Sequence, residues 1–230
     1  MNLHGILEYN FMNKSDLSTL ISKLPLTPGI LRKEEYLNSA VLIPLVFKNG
    51  EYHFLFEKRS EQIRQGGEIC FPGGEFDHSI DQSYKDTALR ETFEEIGINR
   101  HKVTVIGLLD TLIGPTGVTV DSFLGTIDHN DILNLNFDKN EVEKTFLIPV
   151  SFFINNEPEK YFVRMEIHPS EIDKNGDKID TLPVKDLHLP DRYLKPWRGR
   201  KHKIFVYKTP EGVIWGITAV LIHEVVKRLK

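Results

Sequence analysis

Residues 90–97 read Arg90-Glu91-Thr92-Phe93-Glu94-Glu95-Ile96-Gly97, and the stretch leading to them opens on Phe71-Pro72-Gly73-Gly74. At about 100° per residue, Glu91, Glu94 and Glu95 fall within one arc of a helix while Leu89, Phe93 and Ile96 fall on the opposite side. The expected helix spans 82–96, grips a core with one face and displays three carboxylates on the other. Gly97 ends it, as glycine commonly does. Like charges at i,i+3 and i,i+4 repel by about 0.2–0.5 kcal/mol per pair, so the cluster makes physical sense around a cation. Magnesium, which takes oxygen ligands, is the candidate, with manganese as a possible replacement.

Working outward, 68–71 reads as a short strand ending in a turn at Pro72-Gly73-Gly74. The aliphatic run 40–47, the hairpin signal Asn49-Gly50 and the alternation over 52–58 predict two antiparallel strands. Further strands are expected over 103–109, 118–127 and 143–150. Helical spacing of Ile217, Val220, Leu221, Val225 and Leu229 predicts a helix over 216–229, and 15–24 predicts a short amphipathic helix stopped by Pro25 and Pro28. A mixed sheet with helices on both faces, an α/β (α+β) architecture, satisfies this order. The polar stretch 157–190, with alternation at 161–167 and a turn at Asp173-Lys174-Asn175-Gly176-Asp177, reads as an inserted hairpin. The turn lacks the glycine and glutamate placement of a calcium loop. The expected organisation is a lead-in over 1–38 and one domain over 39–230 that carries the inserted hairpin.

The chain has 230 residues, enough to bury a core without disulfides, and its one cysteine, Cys70, forms no internal bridge and reads as a buried structural thiol. Lys and Arg number 29 against 33 Asp and Glu, a formal net charge of −4, which argues against general nucleic-acid binding. With no signal-like start and no apolar run of spanning length, a soluble cytoplasmic protein without a membrane partner is expected. Oligomeric state, including a homodimer, is open at this level.

The run 90–98 with the glycine pair before it resembles the Nudix box, G-x5-E-x7-R-E-U-x-E-E-x-G-U, with Thr92 at an aliphatic position. Eight residues before Arg90, where the pattern has its first glutamate, stands Gln82 with Asp81 beside it, and the loop from Gly74 to the helix is two residues longer. The resemblance implies an α/β/α sandwich and a metal-dependent hydrolase of a diphosphate bond. Glu91 and Glu95, one turn apart, are the expected primary ligands, with Glu94 completing the cluster or receiving a proton from water. Gly73 and Gly74 let the backbone come close, and the Gly74 carbonyl is a further candidate ligand. Arg90 pairs with Glu94 or with a carboxylate of the preceding loop, or touches substrate. Late-loop glutamates of the family imply a base or extra ligand in Asn140-Glu141-Val142-Glu143, with Glu141 preferred.

Other blocks are similar to the coenzyme A diphosphatase branch of this family: Ser39-Ala40-Val41-Leu42-Ile43-Pro44, Lys58-Arg59-Ser60 with Arg64, 67–74, Thr87-Ala88-Leu89-Arg90-Glu91, and Trp215-Gly216-Ile217-Thr218-Ala219. Glu57 replaces the branch's usual threonine, and Arg64 reaches Gly67 across two residues where the branch has three. The branch implies cleavage of coenzyme A to 4′-phosphopantetheine and 3′,5′-ADP, a small-molecule nucleotide substrate. Lys58, Arg59 and Arg64 would meet its phosphates, arginine through its bidentate fork. The basic run 195–203 with Trp197 offers either an anion contact or an exposed loop. Other readings are hydrolysis of a different nucleoside diphosphate derivative such as ADP-ribose, and a non-catalytic nucleotide sensor. An isomerase would want a reactive cysteine, for which Cys70 is poorly placed.

Overall fold

Asn49 and Gly50 both take positive φ, 52° and 89°, which sets the twist of a tight hairpin and starts the central sheet. The structure, a computed structural model, describes residues 11–230, so the first ten residues of the expected lead-in lie outside it. The chain divides into two units, Met1–Glu35 and Tyr36–Lys230. In the first, α1 (Lys14–Lys23) is capped by Asn13, whose side chain accepts from the Ser15 and Asp16 backbone N–H groups while Asp16 answers with a bond from Asn13 N–H.

The second unit runs β1 (Leu37–Lys48), β2 (Glu51–Arg59), β3 (Ile69–Cys70), β4 (Gly73–Glu75), α2 (Tyr84–Ile96), β5 (Val103–Leu108), β6 (Leu112–Ile113), β7 (Val118–Ile127), β8 (Val142–Pro149) and α3 (Val150–Asn155). It continues through β9 (Glu159–Val163), β10 (Glu166–Ile167), β11 (Ser170–Ile172), β12 (Lys178–Asp180), β13 (Trp197–Arg198), β14 (His202–Thr209), β15 (Gly212–Trp215) and α4 (Gly216–Lys227).

The first eight strands form one mixed sheet. β1 and β2 pair only near their turn, from Leu45 opposite Phe54 to Lys48 opposite Glu51. Beyond that point they part. β1 runs parallel to β7 from Leu37 and Val118 to Val46 and Ile127, and β2 runs antiparallel to β8. The gap between the diverging strands is filled by β3, which pairs with Glu57 and Lys58, and by β4, which pairs with Ser39–Val41. The expected turn at Pro72-Gly73-Gly74 is therefore corrected: Gly73 and Gly74 lie in a strand. Their use is close approach, since a Cβ on Gly73 would stand 2.4 Å from the Ala40 carbonyl oxygen.

Strand alternation sends successive side chains to opposite faces. On one face Ala40, Leu42, Val46 and Leu55 pack with Ala88 and Ile96 of α2. On the other, Ile43, Phe54 and Phe56 pack with Phe71, with Phe153 of α3 and with Ala219, Leu221, Ile222 and Val225 of α4. Both faces being covered is why 40–47 reads as an unbroken apolar run. The result is the expected α/β/α arrangement around a mixed sheet. Full burial of a Phe or Leu contributes roughly 1.5–3 kcal/mol, and Phe54 and Phe56 are among the largest fully buried side chains.

β14 pairs with both β15 and β9 in a second, three-stranded sheet. The hairpin expected over about 157–190 is thus narrower. It occupies β11 and β12, turned by Asp173, whose carboxylate accepts from Asn175 and Asp177 N–H at 2.8 Å. The alternation at 161–167 belongs instead to β9 and β10, which pair with β14 and β13 far along the chain. Alternation identifies a strand and leaves its partner unspecified. Among the described residues no helix is long and apolar enough to cross a membrane.

Candidate functional site

α2 begins at Tyr84, two residues later than expected, because the Ser83 side chain accepts from Asp86 N–H and acts as the N-cap. It ends at Gly97, whose φ of 75° is left-handed and whose N–H donates to Phe93 O. Its buried face is Thr87, Ala88, Leu89, Thr92, Glu95 and Ile96, while Phe93 is 53% exposed. The expectation that Phe93 joins the core is therefore corrected. Thr92 takes the core position because its hydroxyl donates to Ala88 O at 2.6 Å and so needs no water. The carboxylates flank the core stripe, and Glu95, nearest to it, is buried.

Arg90 holds the front of this helix. Its Nε and Nη2 donate to the two oxygens of Asp81 at 2.9 Å each, its Nη1 to Glu91 at 2.7 Å and to Glu94 at 2.9 Å, and its Nη2 also to Glu75 O at 3.1 Å. Both alternatives for Arg90, Glu94 and a carboxylate of the preceding loop, are realised together. The hydrogen bonds from Arg90 hold the Asp81 carboxyl down at about 2, and the same bonds raise Arg90. Asp81 lies where the longer loop enters the helix, and the Thr87 hydroxyl adds a bond of 2.9 Å to it.

Behind α2, Glu95 accepts from Gly73 N–H at 2.8 Å and lies 3.5 Å from Arg59 Nη1. Glu57 faces it from β2. Glu57 is 1% exposed, receives the Cys70 Sγ–H at 3.3 Å on one oxygen and has no partner for the other. Burial raises both carboxyls above the ordinary range, and each adds to the other's shift by like charge. Burial likewise raises Glu91 and pushes the Cys70 thiol well up, so Cys70 is a structural thiol, although it is half-buried and not fully buried as expected. In the sequence Glu57 stands out only as a departure from a pattern. The usable signal is alternation: Leu55, Glu57 and Arg59 share the face turned to α2.

The same alternation separates the three cations. Arg59 points to the acids. Lys58 points to the opposite face and forms an ion pair with Glu143 at 2.6 Å, and Arg64 is exposed in the β2–β3 loop. Lys58 is therefore not brought together with Arg59. Glu141 is exposed in the loop before β8, where its carbonyl accepts Ser60 N–H at 2.8 Å, and its charge acts on Glu57 and Glu91. Glu94 is on the solvent side of Glu91. Trp197 and Arg198 lie in β13, with Arg198 bonded to Glu166.

Among the described residues no three His, Cys, Asp or Glu side chains close on one point as a ready cation cage. Arginine guanidinium groups and a backbone N–H hold the acids instead. The donor set nevertheless suits a hard divalent cation: all oxygens, one of them a buried carboxylate oxygen without a partner. The backbone at Gly74 is close enough to Glu91 that an added Cβ would stand 2.3 Å from its Oε1. A groove of about 450 Å³ lies on the other flank of α2, between Asp81, Arg90, Phe93 and Arg100.

Comparison with known proteins places this geometry in context. The NUDIX domain family model matches residues 37–164. Mouse (Mus musculus) peroxisomal coenzyme A diphosphatase NUDT7 is 36% identical over 54% of this chain and 50% of its own length, so the chain spans half of that relative. Nudix hydrolase 3 of Caenorhabditis elegans is 33% identical over 81% of this chain and 72% of its own length. Human (Homo sapiens) mitochondrial coenzyme A diphosphatase NUDT8 is 30% identical over 80% of this chain and 66% of its own.

Proposed function

The chain belongs to the NUDIX family, and from that premise we propose that it is a divalent-metal-dependent hydrolase of the diphosphate bridge of coenzyme A or a derivative, giving 4′-phosphopantetheine and 3′,5′-ADP. The observation that carries the reading is the convergence of Glu91 and Glu95 on α2, the Gly73–Gly74 backbone and Arg59 at the end of β2, with the Glu141 loop tied to Ser60. Relatives named as coenzyme A diphosphatases support the substrate class.

Magnesium, when bound, supplies positive charge to the phosphate oxygens and makes a water more acidic. Glu91, Glu95 and the Gly74 carbonyl would hold it. Arg90 is a positioning residue, since its bonds to Asp81, Glu75 O, Glu91 and Glu94 orient the two acids and commit the guanidinium to them. Glu94 and Glu141, both solvent-accessible beside the acids, are the groups able to accept a proton from attacking water. Arg59 and Arg64 meet substrate phosphate, and Gly73 keeps the strand tight against β1. Lys58 is engaged with Glu143 at 2.6 Å.

Incubating the protein with magnesium and, separately, coenzyme A, acyl-coenzyme A, ADP-ribose and dinucleoside polyphosphates tests the proposal. Fastest release of 3′,5′-ADP from coenzyme A or its thioesters is expected. Preference for ADP-ribose would replace the substrate and keep the chemistry.

A further inference from the structure

Glu57 is a buried acid of the site that lies outside the box. It lies in β2 opposite Cys70, on the face of the sheet that Leu55 turns to α2, and is 1% exposed. One carboxylate oxygen takes the Cys70 Sγ–H at 3.3 Å, and the other is buried without a partner. Around it stand the carboxyl groups of Glu95, Glu91 and Glu141, and Arg59, which is 3.5 Å from Glu95. A buried carboxylate with an unmade bond costs the full desolvation of that group. Adding it to three acids aggravates the cost unless positive charge, a proton or a cation, joins them. Arg59 does not remove the cost, because Oε2 of Glu57 and Nε of Arg59 are both left without partners.

We propose that Glu57 supplies a further carboxylate oxygen to the divalent cation, from the sheet side of the site and opposite the acids of α2. The proposal rests on the metal-dependent reading above. It makes the site a clamp between a helix and a strand, with Glu95, already fixed by Gly73 N–H, between the two.

The test is Mn²⁺ binding to the full chain by calorimetry and by electron paramagnetic resonance, with thermal unfolding in EDTA alongside, for wild type, Glu57→Gln, Glu57→Asp and Glu91→Gln. Glu57→Gln is expected to bind Mn²⁺ at least about tenfold more weakly, while its melting temperature in EDTA is unchanged or higher. Glu57→Asp, which keeps the charge and shortens the reach, is expected to weaken binding too. Wild-type affinity in Glu57→Gln, with binding lost in Glu91→Gln, overturns the proposal and leaves the metal site on α2 standing. Affinity kept by Glu57→Asp and lost by Glu57→Gln overturns ligation in favour of a charge at a distance. A lower melting temperature in EDTA with unchanged affinity makes Glu57 a partner of Arg59 only. If wild type binds no Mn²⁺, the metal-dependent reading itself falls and this proposal with it. Should Glu57→Gln fail to fold, Glu57→Thr, with a side chain suited to a strand and no carboxylate, carries the same comparison.

Discussion

Adjacent glycines with different neighbours give the sharpest prediction. A Cβ on Gly74 would stand 2.3 Å from Glu91 Oε1 and 2.4 Å from its Cδ, more than about 1 Å inside ordinary contact. Those atoms are the end of a flexible side chain, so Gly74→Ala folds by swinging Glu91 away, breaking its 2.7 Å bond from Arg90. A charge-assisted bond contributes about 1.5–3 kcal/mol; with Arg90 still holding Asp81 and Glu94, and Glu91 partly open to water, a loss of about 1 kcal/mol is expected. That lowers the melting temperature in EDTA by about 2–4 °C. The functional loss is larger. With Glu91 displaced, magnesium should give little of the wild-type stabilisation, and turnover should fall by about two orders of magnitude.

A Cβ on Gly73 would instead meet the Ala40 carbonyl oxygen at 2.4 Å and Val41 Cα at 2.7 Å, backbone atoms of β1 that cannot rotate aside. Gly73→Ala should therefore cost stability at the upper end of about 1–3 kcal/mol, with or without metal. Thermal unfolding of both variants in EDTA and in magnesium, with turnover on the same samples, separates them. Wild-type magnesium stabilisation and turnover in Gly74→Ala would refute the placement of Glu91 beside the cation, and a fully stable Gly73→Ala would refute the strand contact.

Glu95→Gln should lower turnover by about two orders of magnitude with the fold intact, and should melt no lower than wild type in EDTA because Gln keeps an acceptor for Gly73 N–H and removes a carboxyl whose charged form burial disfavours; near-wild-type rates at saturating magnesium would count against α2 as the metal helix. Asp81, held at about 2 against an ordinary 3.8 by its bonds from Arg90, contributes about 2 kcal/mol at 1.36 kcal/mol per pH unit. Because its value is depressed on folding, that stability is fully present above about pH 4 and is lost as pH falls towards 2, so Asp81→Asn should flatten denaturant-measured stability across that window. Removing the 3′-phosphate from coenzyme A should cost more in kcat/KM than shortening the acyl end, with Arg59 and Arg64 as the cations concerned; equal efficiency would show that they do not read that phosphate. Replacing Ser170–Asp180 by a short glycine turn should leave metal binding unchanged and raise KM for the bulky substrate, and unchanged KM in a folded variant would show that this hairpin is no substrate wall.

The parts of the molecule written in local patterns are legible from the amino acids alone. β1, β2, β7 and α4 follow from apolar runs and spacing, and α2 with its acids follows from Arg90 to Gly97. What escapes such a reading depends on partners distant in the chain. Gly73 and Gly74 look like a turn until β1 is seen beside them, and 161–167 looks like half of a hairpin until β14 and β13 are seen to claim it. Phe93 misleads because apolarity alone assigns it to the buried face, whereas Thr92 can bury its hydroxyl on Ala88 O. Lys58 and Arg59 look like one cationic pair, although neighbours in a strand point to opposite sides of the sheet.

The parallel pairing of β1 with β7 has a consequence for how this protein comes to exist in time. Between Leu37 and its partner Val118 lie β2, the glycine segment and α2, so the acids are carried inside a loop that closes only when a strand near the middle of the chain returns. Contacts of such long separation form slowly, since closure entropy must be met before they contribute. β2 is then completed by β8, and Arg59 and Glu57 lie on its last residues. A growing chain on the ribosome therefore lacks the partners of β1 and β2 until β7 and then β8 have emerged, and the assembled acidic site is expected to form late.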